Sequence, residues 1–286
     1  MSIAIPIKKL INDQIKKANS VVCVGLDPVI SRLPACVKNS NTPVFEFNKS
    51  IIDATHDLVC AYKLQNAFYV GQRMEKQLEM TCDYLKKTYP HIPVILDAKR
   101  CDIGDVAAFY AQEAFDRYRA DFVTVNPYMG GSTLKPFTDR KEKGTIVLCK
   151  TSNFDADDLQ GIKSSEGIPL YLSVAYKAQN EWNDNDNVFL VVGATNPKDM
   201  AAIRKIAPDL PFLVPGVGAQ GGNPKAVIEN GIDQHGRGVI INSSRSIIYA
   251  SSGDDFDKAA REATLKLQKI TNEAIASALK ERSFSE

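Results

Sequence analysis

Apolar residues in this chain fall into eight short runs, each closed by polar or glycine-rich positions. The runs are SVVCVGLD (20–27), DLVCAYKLQ (57–65), PVILDAK (93–99), DFVTVNP (121–127), GTIVLCKTS (144–152), NVFLVVGAT (187–195), PFLVPGVGA (211–219) and GVIINSSR (238–245). Most are near-continuous Val, Ile, Leu and Cys, the composition of strands buried on both faces. Between them the apolar period lengthens to that of a helix, as in AAFYAQEAFDRY (107–118) and PKDMAAIRKIA (197–207), where Pro197 suits a first helical turn. Eight strands, each followed by a helix, predict the α/β class and a (β/α)8 TIM barrel closed into a single domain over residues 1–286. A helix over about 1–19 precedes the first strand, and another over about 254–282 follows the last. A doubly wound open sheet is the alternative that the same alternation allows. The polar segment EWNDND (181–186) reads as a surface loop, not a domain boundary.

Charge and composition then remove whole classes of function. The 286 residues are 44% hydrophobic and 24% charged, with a formal net charge of +1. That balance offers no electrostatic reason to expect nucleic acid or an anionic membrane as partner. No apolar stretch approaches the roughly 20 residues needed to span a bilayer. The start, MSIAIPIKKLINDQIKKANS, lacks the apolar stretch of a secretory signal and reads as an amphipathic helix. Six cysteines (23, 36, 60, 82, 101 and 149) stand singly with no C-x-x-C pair. They fit reduced thiols in a cytoplasmic protein, not a disulfide framework or a zinc site.

Polar residues gather at one end of the predicted strands. Asp27, Lys63, Asp97, Lys99, Asn126, Thr151, Ser152, Thr195 and Arg245 all lie at or just past the C-terminal ends of apolar runs. In a parallel barrel those ends share one face, where active sites of this fold lie. Any one of these residues alone would be a strand end meeting solvent, but five charges converging on one mouth ask for another explanation.

The stretch LDAKRCDIGD (96–105) is the densest of these. Alternate strand residues face the same way, so Asp97 and Lys99 should point together into the mouth, with Asp102 beyond the strand and free to reach elsewhere. A buried carboxylate needs a partner, and Lys99 is the obvious one. A structural ion pair fits this stretch. So does a lysine held protonated by carboxylates, ready to give its proton to a carbanion. Downstream, LVPGVGAQGGNP (213–224) and SSRSI (243–247) follow the seventh and eighth strands, where barrels commonly hold phosphate. Arg245 would add a charge-assisted contact. The glycine spacing is not G-x-G-x-x-G, and glycines that only permit a tight turn are the plainer alternative.

DAKRCDIGD resembles the D-x-K-x-x-D-I signature of the orotidine 5′-monophosphate decarboxylases. GLDP (25–28), YKLQNAFY (62–69), VTVNPYMG (123–130), LCKTSN (148–153), VVGAT (191–195), PGVGAQGG (215–222) and INSSRSI (241–247) are similar to that family's blocks, in its order. The likeness runs from about residue 20 to 250 and is greatest to the longer subgroup with TSN and VGAT segments. It implies decarboxylation of orotidine 5′-monophosphate to UMP, the last step of de novo pyrimidine nucleotide synthesis, with no metal or organic cofactor. Carried over by residue, it implies that Lys99 protonates C6 after carbon dioxide leaves and that Asp97 lies near the substrate carboxylate. Asp27 and Lys63 would hold ribose hydroxyls, Ser152 the pyrimidine amide edge, and Gln220, Ser244 and Arg245 the phosphate. Asp102 would cross a homodimer interface to complete a Lys63–Asp97–Lys99–Asp102 array in the neighbouring site.

Two positions depart from the family pattern. Cys101 stands where glycine is common, and Val106 where threonine is usual. Two rival readings stay open. One is a magnesium-dependent sugar-phosphate decarboxylase or aldolase on the same barrel, although Lys63 would repel the metal. The other is a non-catalytic binder of nucleotide phosphates.

Overall fold

A computed structural model describes residues 5–218 and 221–283. Its eight strands are β1 (Val22–Gly25), β2 (Ala61–Gln65), β3 (Val94–Arg100), β4 (Phe122–Val125), β5 (Gly144–Lys150), β6 (Val188–Val192), β7 (Phe212–Val214) and β8 (Val239–Ser243). Each pairs in parallel with the next, and β8 pairs with β1 through Val22↔Ile241. That last pairing closes the sheet, so the open doubly wound alternative is excluded. Parallel neighbours need a crossover, and helices supply each one.

The near-continuous apolar runs exist because each strand has two apolar faces to cover. Val22, Val24, Leu64, Val94, Leu96, Val123 and Val125 pack outward in the core that includes the surrounding helices. Cys23, Ala61, Ile95, Phe122, Ile146, Phe189, Leu213 and Ile240 fill the barrel itself. The rings of Phe122 and Phe189 meet edge-on there, 4.9 Å apart. The helix Ile7–Ala18 closes the N-terminal end of the barrel. Its Ile7 and Ile11 join the interior cluster, and Gln14 donates to the Val59 carbonyl at 2.9 Å. The interior is therefore sealed below and open above.

The predicted helix over 107–118 appears as Gly104–Gln112 continued by a wider turn over Glu113–Arg117, and that over 197–207 as Pro197–Ile206. The terminal helix is Phe256–Ser283, tied back by Arg261 to Asp57 and by Arg282 to the Asp233 carbonyl. Residues 181–186 form a loop. All six cysteines are free thiols. No helix among the described residues is long and apolar enough to cross a membrane.

Candidate active site

A cavity of about 550 Å³ opens at the C-terminal end of the barrel, within the range of small-ligand pockets. Asp27 enters it just past β1. Its loop is fastened to β2 and to the short helix Asn66–Val70 beyond it. Leu26 N donates to the Lys63 carbonyl at 2.7 Å, and the Tyr69 hydroxyl donates to the Leu26 carbonyl at 2.7 Å. Gln65 N donates to the Asp27 carboxylate at 3.2 Å. Lys63, on β2, is 3% exposed and stands between two carboxylates, 3.4 Å from Asp27 and 3.3 Å from Asp97.

Strand β3 reaches the cavity through an irregularity. Leu96 pairs with Val123 but Arg100 with Val125, so β3 carries two extra residues against β4. Within this bulge Lys99 takes a left-handed backbone, φ 48°, a conformation that costs a non-glycine residue energy. Thr124 of β4 answers the disruption. Its hydroxyl accepts from both Ala98 N and Lys99 N at 2.9 Å and donates to Asp97 at 2.9 Å, using its one donor and both lone pairs. Asp97 and Lys99 do meet, with Lys99 Nζ donating to Asp97 at 2.6 Å, but a bulge brings them together in place of the regular alternation expected.

The outcome within one chain is an alternating series, Asp27, Lys63, Asp97, Lys99. Burial alone would raise the Asp97 carboxyl, but Lys63, Lys99 and the Thr124 hydroxyl overcome it and hold the group at about 2. Burial would likewise lower the Lys63 ammonium, and Asp27 and Asp97 raise it above the ordinary lysine value instead. Asp97 and Lys63 are therefore both ionised at neutral pH. Lys99 is the most accessible member, its side chain 43% exposed.

The opposite wall comes from β5, β7 and β8. Leu148, Thr151, Ser152 and Asn153 line it, with Pro215, Gly216 and Val217 after β7 and Ser244 and Arg245 after β8. Gly25 makes the closure between β1 and β8 tight: a Cβ there would fall 1.8 Å from Ser244 Oγ. Of the expected residues, Asp27, Lys63, Asp97, Lys99, Thr151, Ser152, Ser244 and Arg245 share this cavity. Asp102 does not line it; its carboxylate accepts from Ile103 N at 2.9 Å in its own loop. Asn126 instead caps the turn Pro127–Met129, and Thr195 is also outside the lining. Gln220 lies outside the described residues.

Among the polar lining residues, Thr124, Gln65, Asn153 and Asn242 went unnoticed in the sequence. Thr124 carried a usable signal, a hydroxyl at an inward position between Val123 and Val125. Asn242 donates to the Cys23 carbonyl at 3.2 Å, across the β8–β1 seam, and only the closed barrel makes that contact visible.

Comparison with known proteins agrees with this geometry. The model of the orotidine 5′-phosphate decarboxylase / HUMPS family matches residues 20–262. A protein of Cellvibrio japonicus named orotidine 5′-phosphate decarboxylase is 55% identical over 272 residues, covering 94% of this chain and 99% of that one. A Janthinobacterium protein of the same name is 48% identical, covering 89% and 94%. Among solved structures, Leishmania donovani OMP decarboxylase superposes with a TM-score of 0.79 at 37% identity, covering 93% of this chain and 99% of that one. Leishmania donovani UMP synthase does so with a TM-score of 0.80 at 39% identity, covering 92% of this chain, which spans 56% of that longer one. A closed eight-stranded barrel with this charge series in its mouth, and relatives of this identity along nearly its whole length, place the chain in the orotidine 5′-phosphate decarboxylase / HUMPS family.

Proposed function

We propose that this mouth decarboxylates orotidine 5′-monophosphate to UMP, and that the Asp27–Lys63–Asp97–Lys99 series is the machinery. That series is the observation that carries the reading. Breaking the bond from C6 to the carboxylate leaves an electron pair on a ring carbon with no electron sink, while carbon dioxide departs. Such a carbanion needs fixed charge where it forms, in a site that need not reorganise. Lys99, anchored to Asp97 at 2.6 Å, is the cation for it and the donor of the proton that traps the product. Asp97, ionised and buried, faces the departing carboxylate, so loss of carbon dioxide relieves a like-charge contact. Asp27 and Lys63 hold the ribose hydroxyls, Ser152 meets the pyrimidine amide edge, and Ser244 and Arg245 hold the phosphate, joined by Gln220. Binding energy at the remote phosphate serves the chemistry by fixing the ring against Lys99.

Asp102 is proposed to act in a neighbouring subunit of a homodimer. It projects from a loop whose apolar neighbours face outward, with Ile103 59%, Val106 46% and Phe109 70% exposed. The adjoining loop, tied on by Asn126 N to the Arg100 carbonyl at 2.9 Å, exposes Tyr128 and Met129. A second copy covering this surface would bury it. Val106 presents a methyl surface there in place of a hydroxyl.

The magnesium-dependent relatives on this barrel require a hard-cation site of oxygen ligands. Here the end of β2 carries Lys63, and among the described residues no three His, Cys, Asp or Glu side chains are grouped to hold a metal. A spectrophotometric assay on orotidine 5′-monophosphate, with and without EDTA, tests the proposal. Turnover that EDTA leaves intact is expected. Activity abolished by EDTA and restored by Mg²⁺ would favour the metal-dependent relative, and UMP binding without turnover would favour a non-catalytic binder.

A further inference from the structure

Beside the proposed charge series lies a lysine buried still more deeply, Lys150 at 1% exposure, which the proposed chemistry does not use. It ends β5, immediately before Thr151 and Ser152. Leu148 lines the cavity, and strict alternation would aim Lys150 there as well. An irregularity intervenes: Leu148 pairs with Val191 and Lys150 with Val192, so β5 carries one extra residue. The extra residue turns Lys150 outward. There its ammonium stands 5.0 Å from the centre of the Tyr171 ring, pairs with Asp157, and lies 3.5 Å from Asp199. Tyr171 closes the network by donating its hydroxyl to Asp199 at 3.1 Å. One cation thus gathers three separate helices, Asp157–Gln160, Leu170–Asn180 and Pro197–Ile206.

Burying an ammonium is costly, and an apolar side chain of similar volume often serves packing as well or better. Its placement supplies another reason for a charge. The short helix that brings Asp157 to Lys150 also brings Gln160 to Thr151, accepting from Thr151 N at 2.9 Å and donating to its hydroxyl at 2.7 Å. From the β6 side, Gly193 N donates to the Lys150 carbonyl at 2.8 Å. Gly193 also leaves room for the next turn of chain, since a Cβ there would lie 2.9 Å from Ser152 N and Ser152 Cβ. The backbone entering Ser152 is therefore gripped by Lys150, Gln160 and Gly193 together.

We infer that Lys150 is a positioning residue for Ser152: by holding Asp157 and Asp199 at once, it sets the exit of β5 so that Ser152 meets the pyrimidine amide edge, and it thereby governs recognition of the base without touching the ligand. This rests on the reading of Ser152 given above. A methionine would fill the same space yet tether neither carboxylate, leaving the helix Asp157–Gln160 and the β5 exit free to shift by the few tenths of an ångström that spoil a hydrogen bond.

Calorimetry with UMP and with ribose 5-phosphate, which shares the sugar phosphate but has no base, separates positioning from mere support. Lys150→Met should weaken UMP roughly five- to tenfold, one hydrogen bond's worth, and leave ribose 5-phosphate within about twofold. Asp199→Asn, at a side chain 29% exposed, should show the same selective loss and carries the test if Lys150→Met does not fold. Ser152→Ala should match them, and adding Lys150→Met to Ser152→Ala should cost UMP nothing more. Equal losses for the two ligands, or losses that add to that of Ser152→Ala, would overturn the inference. If Ser152→Ala alone leaves the preference for UMP unchanged, the reading of Ser152 fails and the inference with it, a failure visible in that single variant.

Discussion

Replacing Lys63 by methionine removes the cation between two carboxylates, 3.4 Å from Asp27 and 3.3 Å from Asp97. Both acids are buried, at 8% and 7% exposure, so neither recovers a full hydration shell. Removing one member of a buried pair costs about 3–5 kcal/mol when the remaining charge is left uncompensated. Here the compensation is partial. Asp97 keeps Lys99 at 2.6 Å and the Thr124 hydroxyl at 2.9 Å, Asp27 keeps Gln65 N at 3.2 Å, and both border an open cavity. We expect about 2–3 kcal/mol of destabilisation near neutral pH. With an unfolding entropy of about 2.1 cal/mol/K per residue, that is a fall in Tm of roughly 3–5 °C for this chain.

The pH dependence makes the test specific. In the wild type the folded Asp97 carboxyl sits at about 2, below its ordinary 3.8. Its stabilisation is therefore fully present above about pH 3.8 and is lost as pH falls through about 2. Between about pH 8 and pH 5 it contributes a constant amount. Without Lys63 the largest attraction opposing burial is gone, and the Asp97 carboxyl rises. A carboxyl raised above its unfolded value destabilises at high pH, and that penalty fades as the pH falls through the raised value. The gap in Tm between variant and wild type should then narrow from about pH 8 to about pH 5, followed by circular dichroism melts. A gap under about 1 °C, or one identical at both pH values, would refute the claim that Lys63 is what keeps Asp97 ionised.

Other substitutions probe the remaining parts of the site. Arg245→Ala should weaken UMP by about 1.5–3 kcal/mol and leave uridine nearly unchanged in calorimetry; equal losses would show that Arg245 does not read the phosphate. Gly25→Ala places a methyl 1.8 Å from Ser244 Oγ, so it should displace Ser244 and lower both stability and UMP affinity, by about 1–3 kcal/mol in Tm-derived stability; unchanged UMP titrations would contradict the close approach. Mixing the inactive variants Lys99→Ala and Asp102→Ala under conditions of subunit exchange should restore roughly a quarter of wild-type activity, because half the dimers are mixed and each rebuilds one of two sites. No recovery, with exchange confirmed by mass spectrometry, would place every catalytic group in one chain.

The barrel was legible in the chain because its determinants are local. A parallel strand buried on both faces must be apolar at nearly every position, so runs such as Val94-Ile95-Leu96 and Val188-Phe189-Leu190-Val191-Val192 announce themselves. The C-terminal end of such a strand is where polar side chains can reach water and one another. That alone grouped Asp27, Lys63, Asp97, Lys99 and Arg245, and all five line one cavity.

Contacts that depend on closure or on a break in strand register stayed hidden. Regular alternation aims Lys99 and Lys150 alike into the barrel, yet irregularities in β3 and β5 send one to Asp97 at the mouth and the other outward to Asp157 and Asp199. Thr124 owes its part in the site to the amides that the β3 bulge leaves unpaired. Asn126 and Thr195, placed at strand ends by the same pattern, turn away because the backbone after a strand follows its own loop. Residue type and burial period are properties of a segment and can be read along the chain. Which neighbour a side chain meets is a property of two segments in register, and a shift of one residue, invisible in either sequence, moves it to the other face.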